Sequence, residues 1–266
     1  MTENNLCHSY NQRVEDLIVY ENRIINDFYY VLKLFSPQGL PEINPGNFVN
    51  VLVEESSSTF LRRPISIYQV DIASNTLDLL IQIVGAGTKK LSEKKKGDIV
   101  NLIYPLGQAY NFNSEVKSAL LIGGGVGIAP LLFLAKVLKD NAINVETLFG
   151  GRSQKNIIEV EKFQKYGKVH ISTEDGSLGE KGFLTLNSVI SEIKRFDKIY
   201  VCGPDPMMKS VARIAKSNAI ECEVSLENLM ACGIGACLCC IEDTTTGNRC
   251  ACTDGPVFNI NELKWN

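Results

Sequence analysis

The sequence predicts a fold of class α/β plus all-β: an N-terminal antiparallel β-barrel, a doubly wound parallel-sheet domain and a small C-terminal domain. Three observations support this prediction. Short segments rich in Val, Ile and Tyr fill residues 1–114, strands alternate with amphipathic segments over residues 115–225, and cysteines cluster within residues 226–266. A chain of 266 residues can hold two compact domains and such an appendage.

The barrel is predicted from strands at regular spacing with no long helical period between them. Turn clusters such as Ser36-Pro37-Gln38-Gly39 and Asn44-Pro45-Gly46 separate these strands. One short helix is expected at Thr88–Lys94. The expected strands are Arg13–Tyr20, Phe28–Phe35, Asn47–Val53, Ile65–Val70, Leu77–Val84 and Ile99–Tyr104.

After Glu115 the pattern changes to strands that alternate with helices, which indicates βαβ units and a parallel sheet. The expected strands are Ser118–Ile122, Val145–Gly150, Val169–Thr173, Lys198–Cys202 and Ile220–Ser225. The expected helices are Ile128–Lys139, Asn156–Lys165, Leu184–Lys194 and Asp205–Ser217.

Composition excludes several classes of function. A net charge of −3 leaves no electrostatic footprint for nucleic acid, and no apolar stretch reaches the length that spans a bilayer. Residues Met1–Asn5 lack the basic and apolar regions of a secretory signal. Nine cysteines without such a signal predict a reducing, cytoplasmic location, where thiols serve metal binding or chemistry rather than disulfides.

The most specific motif is a set of four cysteines near the C-terminus. Cys232, Cys237 and Cys240 follow the spacing C-x4-C-x2-C, and Cys252 lies twelve residues further on. This spacing is typical of a plant-type [2Fe–2S] loop, whereas zinc sites usually pair two C-x2-C knuckles. Zinc and structural or redox thiols are the alternatives. Spacing favours Cys240 over its neighbour Cys239 but does not choose between Cys250 and Cys252.

A glycine cluster, Gly123-Gly124-Gly125-Val126-Gly127-Ile128-Ala129-Pro130, stands where a strand meets a helix. Glycines let a backbone approach a phosphate, and the free N–H groups of a helix N-terminus attract anions. Such a cluster can also be a tight turn, but its place at the first βα junction indicates nucleotide binding.

Two further segments are candidates for ligand contacts. Cys202-Gly203-Pro204-Asp205-Pro206-Met207-Met208 follows a later strand, where doubly wound sheets bind ligands, although Asp205 can equally cap a helix. Arg63-Pro64-Ile65-Ser66 opens a barrel strand. An arginine there can bind a pyrophosphate, although an isolated arginine is usually a surface residue.

These motifs occur in the order found in the ferredoxin–NADP reductase superfamily, which the chain resembles over almost its whole length. Within it, the chain is similar to the family of dihydroorotate dehydrogenase B electron transfer subunits. The likeness lies in Leu61–Ser66, Gly85–Thr88, Glu174–Gly179, Met230–Cys237 and Cys252–Phe258.

The resemblance implies an FAD site, an NAD site and a cluster site. Gln82 departs from the arginine often found in the family at that position. For FAD it implies Arg63, Pro64, Ile65, Ser66, Leu80, Ile81, Gln82, Gly87 and Thr88. For the nicotinamide nucleotide the candidates are Gly123, Gly124, Gly125, Gly127, Pro130, Cys202, Gly203, Pro204, Asp205 and Met207. As cluster ligands it implies Cys232, Cys237, Cys240 and Cys252, with Cys239 and Cys250 as extra thiols.

NADH exchanges two electrons at once, a [2Fe–2S] cluster exchanges one, and a flavin can do both. We therefore expect the flavin to lie between the nicotinamide and the cluster in the path of electrons. No side chain is needed as acid or base in the hydride step. The resemblance implies a separate FMN-containing subunit that oxidises dihydroorotate to orotate in pyrimidine synthesis, in a heterotetramer. The alternatives are another flavin and iron–sulfur oxidoreductase subunit, of the ferredoxin–NAD(P) reductase or sulfide dehydrogenase type, and a non-enzymatic redox sensor.

Overall fold

The structure, a computed structural model, describes residues 12–54 and 59–265. The prediction made on Met1–Asn5 therefore lies outside the described residues. In the described part of the chain, none of the helices combines the length and the apolar character needed to cross a bilayer.

Six antiparallel strands close into the N-terminal barrel in the order β1-β2-β5-β4-β3-β6. Alternate residues such as Val49 and Val51 fill its interior, which is the pattern expected of strands with one buried face. A short helix, α1 (Ala86–Ser92), follows the fifth strand. The strands are β1 (Arg13–Ile24), β2 (Tyr29–Phe35), β3 (Phe48–Val51), β4 (Arg63–Asp71), β5 (Thr76–Gln82) and β6 (Ile99–Leu106).

A seven-stranded sheet forms the second half of the chain, in the order β10-β9-β8-β7-β11-β12-β15. Neighbouring strands run parallel except for the last, which pairs antiparallel with β12. The strands are β7 (Ser118–Gly124), β8 (Asn144–Gly151), β9 (Gly167–Thr173), β10 (Glu180–Lys181), β11 (Lys198–Cys202), β12 (Glu221–Ser225) and β15 (Val257–Asn259).

Helices cover both faces of this sheet, as the doubly wound class requires. Along β7, Ala119 and Leu121 face one apolar cluster with α2, while Leu120 and Ile122 face another with α5. Because both faces are buried, the strand is apolar throughout rather than alternating. The helices are α2 (Ala129–Asp140), α3 (Val160–Gln164), α4 (Ser188–Ser191) and α5 (Asp205–Ser217).

Two predicted helices are shorter than the sequence pattern suggested. Asn156–Lys165 is helical only over α3, because Glu159 adopts a left-handed φ of 58° and separates it from a single 3-10 turn at Gln154–Asn156. Leu184–Lys194 is divided into three short pieces. The first break lies at Asn187, which is extended and whose side chain accepts a hydrogen bond from the Val189 N–H to start α4, and the second lies at Glu192.

The C-terminal segment connects the barrel to the sheet. It contains a hairpin of β13 (Ile241–Thr244) and β14 (Gly247–Cys250), and it ends with β15 at the sheet edge. The Gln108 N–H, just beyond β6, donates to the Gly255 carbonyl at 2.6 Å. The sheet thus takes its last strand from the cysteine-rich segment. The domain boundaries after residues 114 and 225 stay predictions.

Candidate functional site

A cleft of about 680 Å³ opens between the barrel and the carboxyl ends of the parallel strands. Such a crevice at strand ends is where doubly wound sheets bind nucleotides. The barrel contributes Tyr29 and Gln82 to its wall. The sheet side contributes Gly124, Gly125, Val126, Gly150, Gly151, Arg152, Asn156, Glu174, Gly182, Phe183, Leu184, Thr185, Pro204, Pro206, Met207, Ser210 and Glu227.

The glycine cluster and the segment after β11 meet at the floor of this cleft. A Cβ added to Gly127 would lie 2.3 Å from the Cys202 carbonyl oxygen, and one added to Gly124 would lie 2.5 Å from Met207 Sδ. Both glycines are therefore needed for close approach of the two segments. Gly203 adopts a φ of +151°, which also favours glycine.

The predicted nucleotide residues divide between the lining of the cleft and the layer behind it. Gly124, Gly125, Pro204 and Met207 line the cleft. The remaining candidates do not line it: they are Gly123, Gly127, Pro130, Cys202, Gly203 and Asp205. Pro130 stands in the first turn of α2, and Asp205 begins α5 and forms an ion pair with Lys209 at 2.8 Å, which are structural roles.

Arg63 and Gly87 are brought together at one end of the barrel. A Cβ on Gly87 would lie 3.0 Å from Arg63 Nε and 3.1 Å from the methyl group of Thr59. The hydroxyl of Thr59 is buried and has no hydrogen-bond partner within residues 12–54 and 59–265, and it is therefore placed to donate a hydrogen bond to an anion held by Arg63. The hydroxyl oxygen of Thr88 is already used within the protein. It accepts hydrogen bonds from the Val84 and Gly85 N–H groups and so stabilises the start of α1.

The other predicted flavin residues face in different directions. Pro64 and Ser66 are half-buried on β4, opposite Asn50 and Phe48 of β3. Ile65 packs against the barrel interior.

At the end of β5, the three flavin candidates also diverge. Leu80 packs against the α2 side of the sheet domain, and the Ile81 side chain points into the barrel interior, so Ile81 can reach a ligand only through its backbone. Gln82 is the member of this strand that lines the cleft.

The cysteine loop presents backbone N–H groups to sulfur. Ile234 and Cys237 donate to Cys232 Sγ at 3.4 and 3.3 Å, and Gly235 donates to Cys252 Sγ at 3.1 Å. Gly233 and Gly235 adopt φ values of +73° and +78°, which let the backbone turn around the sulfurs.

The predicted ligand thiols approach one another in two pairs. Cys232 contacts Cys237, and Cys240 contacts Cys252. Burial alone would raise the pKa of Cys232, but the N–H groups of Ile234 and Cys237 lower it to about 7. Burial and the neighbouring Cys240 raise the pKa of Cys252 to about 12.

Two pairs of thiols fit a cluster of two irons, which takes two thiolates on each metal. Over residues 12–54 and 59–265, no three His, Cys, Asp or Glu side chains converge on a single-ion site. The extra thiols lie close by: Cys250 contacts Cys240, and Cys239 is exposed with its N–H donating to Cys237 Sγ at 3.5 Å. The structure thus places the four predicted ligands in two neighbouring pairs, and because Cys240 contacts both Cys250 and Cys252, the choice of Cys252 as fourth ligand stays a prediction.

Sequence reasoning missed three polar residues at these sites. Thr59 lies beside Arg63, Glu227 lines the cleft beside Cys202, and Asn50 contacts the cysteine loop. Glu227 is exposed as a residue, but the packed surroundings of its carboxyl, whose Oε1 lies 3.8 Å from Cys202 Sγ, desolvate that group and raise its pKa. Asn50 interrupts the apolar run of β3, and this was the one available signal.

Two family models match the chain. The iron–sulfur cluster binding domain of dihydroorotate dehydrogenase B matches residues 227–264, and an oxidoreductase NAD-binding domain matches residues 121–213. These ranges contain the cysteine loop and the floor of the cleft, respectively.

Curated relatives are similar over most of their length. The chain is 37% identical over 265 residues to the dihydroorotate dehydrogenase B (NAD(+)) electron transfer subunit of Fusobacterium nucleatum, which covers 95% of this chain and 99% of that protein. It is 41% identical over 225 residues to the subunit of the same name from Caldanaerobacter subterraneus, covering 83% and 87%.

Solved structures share the fold. An NADH-dependent reduced ferredoxin–NADP oxidoreductase, described for flavin-based electron bifurcation, superposes with a TM-score of 0.84 at 30% identity, covering 94% of this chain and 90% of that chain. The FAD/NAD-binding domain of a Vibrio cholerae nitric oxide dioxygenase superposes with a TM-score of 0.68 at 20% identity, covering 77% and 93%, which shows the fold alone.

Proposed function

The chain belongs to the family of dihydroorotate dehydrogenase B electron transfer subunits, and we propose that it carries electrons between a catalytic subunit and NAD⁺. The catalytic subunit oxidises dihydroorotate to orotate, the redox step of pyrimidine (UMP) synthesis. The chain is an NAD-linked oxidoreductase subunit whose cofactors are FAD, a [2Fe–2S] cluster and NAD.

One observation carries this proposal: the barrel stands between the nucleotide cleft and the cysteine loop and contacts both. Gln82 of β5 lines the cleft. On another side, Phe48 of β3 packs in one apolar cluster with Cys240 and Cys252. A flavin held on the barrel therefore has a nicotinamide site and a cluster site as its neighbours.

The residues at the barrel surface contribute to FAD binding in two ways: some supply charge and hydrogen bonds to the pyrophosphate, and others shape the site of the flavin ring. Arg63, with Thr59 and Gly87 beside it, binds the pyrophosphate, since a guanidinium and a hydroxyl both donate to phosphate oxygens. Pro64 and Ser66 on β4 would border the flavin ring, and Gln82, which lines the cleft, would lie on the side of the nicotinamide site. Bound FAD supplies the exchange between paired electrons of nicotinamide and single electrons of the cluster.

The cleft binds the nicotinamide nucleotide mainly through its backbone. Gly124 and Gly125 leave room for the ligand above the floor formed with Pro204 and Met207. The barrel wall at Tyr29 closes the other side and limits access of water to the reacting rings. Binding and orientation are thus the chain's contributions to hydride transfer.

The cysteine loop is the side on which the catalytic subunit docks. Cys237 is exposed, and apolar side chains in the same segment are exposed as well, namely Leu229, Ile234, Leu238 and Ile241. An apolar rim around a redox group suits a protein partner, because docking excludes water and shortens the electron path. We propose that the partner contains FMN and that two copies of each subunit form a heterotetramer.

Reconstitution tests this function. The purified chain is expected to contain flavin and iron, and with its catalytic subunit it should support NAD⁺ reduction that depends on dihydroorotate. Dihydroorotate oxidation by the catalytic subunit with an artificial acceptor, measured in parallel, controls for that subunit's integrity. A chain that reduces ferredoxin with NADPH but shows no such coupling would instead be a ferredoxin–NAD(P) reductase subunit.

A further inference from the structure

Two opposite charges stand side by side at one end of the nucleotide cleft. Arg152 directly follows β8, Glu174 directly follows β9, and both residues line the cleft. In the parallel pairing of these strands Gly151 stands opposite Thr173, so the two charged residues form the next pair along. Neighbouring strands lie about 4.8 Å apart, which places the two backbones close together.

Hydrogen bonds beyond the strand ends fix the backbone at both positions. The Glu174 N–H donates to the Gly151 carbonyl at 3.0 Å, and the Asp175 N–H donates to the Arg152 carbonyl at 3.2 Å. These bonds extend the contact between β8 and β9 into the loops that follow them. Both charged side chains therefore leave the backbone at defined places on the rim of the cleft.

The charged groups themselves are not used within the protein. Arg152 and Glu174 are both exposed. Within residues 12–54 and 59–265, neither side chain forms a hydrogen bond or an ion pair, even with the other. Opposite charges at neighbouring strand positions attract each other. Two such charges that line one cleft without pairing are available to a ligand.

An exposed aromatic ring lies beside this pair of charges. The Gly182 N–H donates to the Thr173 carbonyl at 2.9 Å, which brings Phe183 back to the end of β9. Phe183 is 64% exposed and lines the same cleft. Such a ring suits a nucleotide base, because every base has a π-face that stacks on an aromatic side chain. This end of the cleft thus offers a surface for adenine next to charged groups.

The order of the strands assigns this end to the adenosine half of the nucleotide. In doubly wound sheets the pyrophosphate lies at the glycine turn after the first strand, and the adenosine ribose lies near a residue about 20 positions further on. An acid there binds the ribose hydroxyls of NAD, whereas an arginine accommodates the 2′-phosphate of NADP. After β8 this place is taken by Arg152, although the nucleotide of this family is NAD.

We propose that Glu174 supplies the missing acid from the neighbouring strand and thereby selects NAD over NADP. Its carboxylate accepts hydrogen bonds from the 2′- and 3′-hydroxyls of the adenosine ribose, and it repels a phosphate at the 2′ position. Arg152 alone would attract that phosphate, and Glu174 opposes the attraction. The inference deepens the function proposed above and rests on it for the binding of a nicotinamide nucleotide in the cleft.

Two substitutions at Glu174 separate repulsion from hydrogen bonding. Glu174→Gln removes the charge but keeps an oxygen that accepts hydrogen bonds. NADPH should therefore bind about tenfold more tightly, while the affinity for NADH changes by less than about threefold. Glu174→Ala removes the acceptor as well, and NADH should bind about tenfold more weakly. The dissociation constants are measured by equilibrium titration of the purified chain with its cofactors bound.

Three further variants control for charge and for binding of the base. Glu161→Gln is the matched control, because it removes the same charge from an exposed acid of α3 that does not line the cleft, and both affinities should stay unchanged. Glu174→Gln/Arg152→Gln should lose the gain in NADPH affinity, because Arg152 is the only cation among the described residues that line the cleft. Phe183→Ala should weaken NADH and NADPH equally, by about tenfold.

Fragments of the nucleotides locate the effect. 5′-AMP and 2′,5′-ADP differ only at the ribose 2′ position and lack nicotinamide, so in competition with NADH they should show the same change of preference in Glu174→Gln. Fragments that do not reproduce the change, an unchanged preference in Glu174→Gln, or the same change in Glu161→Gln would overturn the inference. The proposed function fails differently: the chain would keep its preference for NADH but show no dihydroorotate-dependent reduction of NAD⁺.

Discussion

The nucleotide cleft and the cysteine loop flank the same barrel, but the cleft depends on glycines that lack side chains, whereas the loop depends on the sulfur atoms of its cysteines. The cleft is defined by missing side chains, since an added Cβ at Gly124 or Gly127 would collide with the segment after β11. The loop is defined by side chains that are present, since the sulfurs of Cys232 and Cys252 collect backbone N–H donors.

This difference predicts how each site fails. At Gly124, where an added Cβ meets the flexible Met207 side chain rather than backbone, the cleft should lose affinity by degrees as atoms are added, because that side chain can move aside. A site made of ligating atoms should fail completely when one ligand is removed, because a cluster requires all of its thiolates. The predictions below test this contrast, in order of their effect on bound cofactor.

The largest effect is expected from Cys237→Ser. Loss of one thiolate of the Cys232–Cys237 pair should abolish the visible absorption of the cluster while FAD remains bound. The matched control is Cys239→Ser, because that exposed thiol belongs to neither pair and serine keeps the backbone N–H that points to Cys237. An unchanged spectrum in Cys237→Ser would contradict the ligand assignment.

Arg63→Ala should come next. Removing the guanidinium beside Gly87 takes a charged donor from the FAD pyrophosphate, and we expect affinity to fall about a hundredfold. Flavin fluorescence during dilution measures this loss. Arg63→Lys keeps the charge without the planar donor group and should lie between the alanine variant and the wild type. Wild-type flavin content in the alanine variant would exclude the assignment.

Gly124→Ala should have a smaller effect, confined to the cleft. The new methyl group would meet Met207 Sδ, the end of a flexible side chain, so the cleft narrows without losing its floor. We expect NAD(H) to bind about tenfold more weakly, measured by titration, with FAD and cluster unchanged. The double variant Gly124→Ala/Met207→Ala should recover part of the loss, and failure to recover would place the cause elsewhere.

Glu146→Gln should change stability and leave both sites intact. Glu146 lies toward the start of β8, away from Gly150 and Gly151 in the cleft. Hydrogen bonds from Arg195, at 2.8 Å for Nη2, and from His170, at 2.6 Å, lower the pKa of Glu146 from 4.5 to about 2. At neutral pH the substitution should lower the free energy of unfolding by about 1–2 kcal/mol, because solvent screens part of these charge interactions.

The sign of the pH dependence follows from that lowered pKa. The folded state binds the proton of Glu146 less readily than the unfolded state, so the stabilisation is fully present above pH 4.5 and is lost as the pH falls toward 2. The difference in Tm between wild type and Glu146→Gln should therefore shrink over this range. A constant difference would show that packing, rather than charge, is the cause.

Much of the fold could be predicted because its signals are local. Every barrel strand and every long strand of the parallel sheet lies where the apolar runs and turn clusters indicated, with ends shifted by a few residues. The predictions that were wrong concern two helices, at positions where the backbone leaves the helical conformation that the apolar pattern indicated. Glu159 is left-handed and Asn187 is extended, and neither conformation is evident from a helical pattern of apolar residues.

The sites divide in the same way. The cysteine spacing and the glycines at the first βα junction are visible in the sequence, because each depends on neighbours along the chain. The sequence did not indicate β15, whose place beside β12 depends on a pairing more than thirty residues away. Nor did it indicate that Ile81 points into the barrel, away from any ligand on the surface.

The sequence by itself determined which chemistry this protein can hold: four spaced thiols, a glycine-lined turn and an arginine at the start of a barrel strand. Only the tertiary structure decided how these parts face one another, through the pairing of the thiols, the hydrogen bond from Asn50 to the cysteine loop and the place of the Glu227 carboxyl beside Cys202. The physical reason is that spacing along a chain fixes local geometry. Distances across a barrel wall depend on strand register and on packing between segments far apart in sequence.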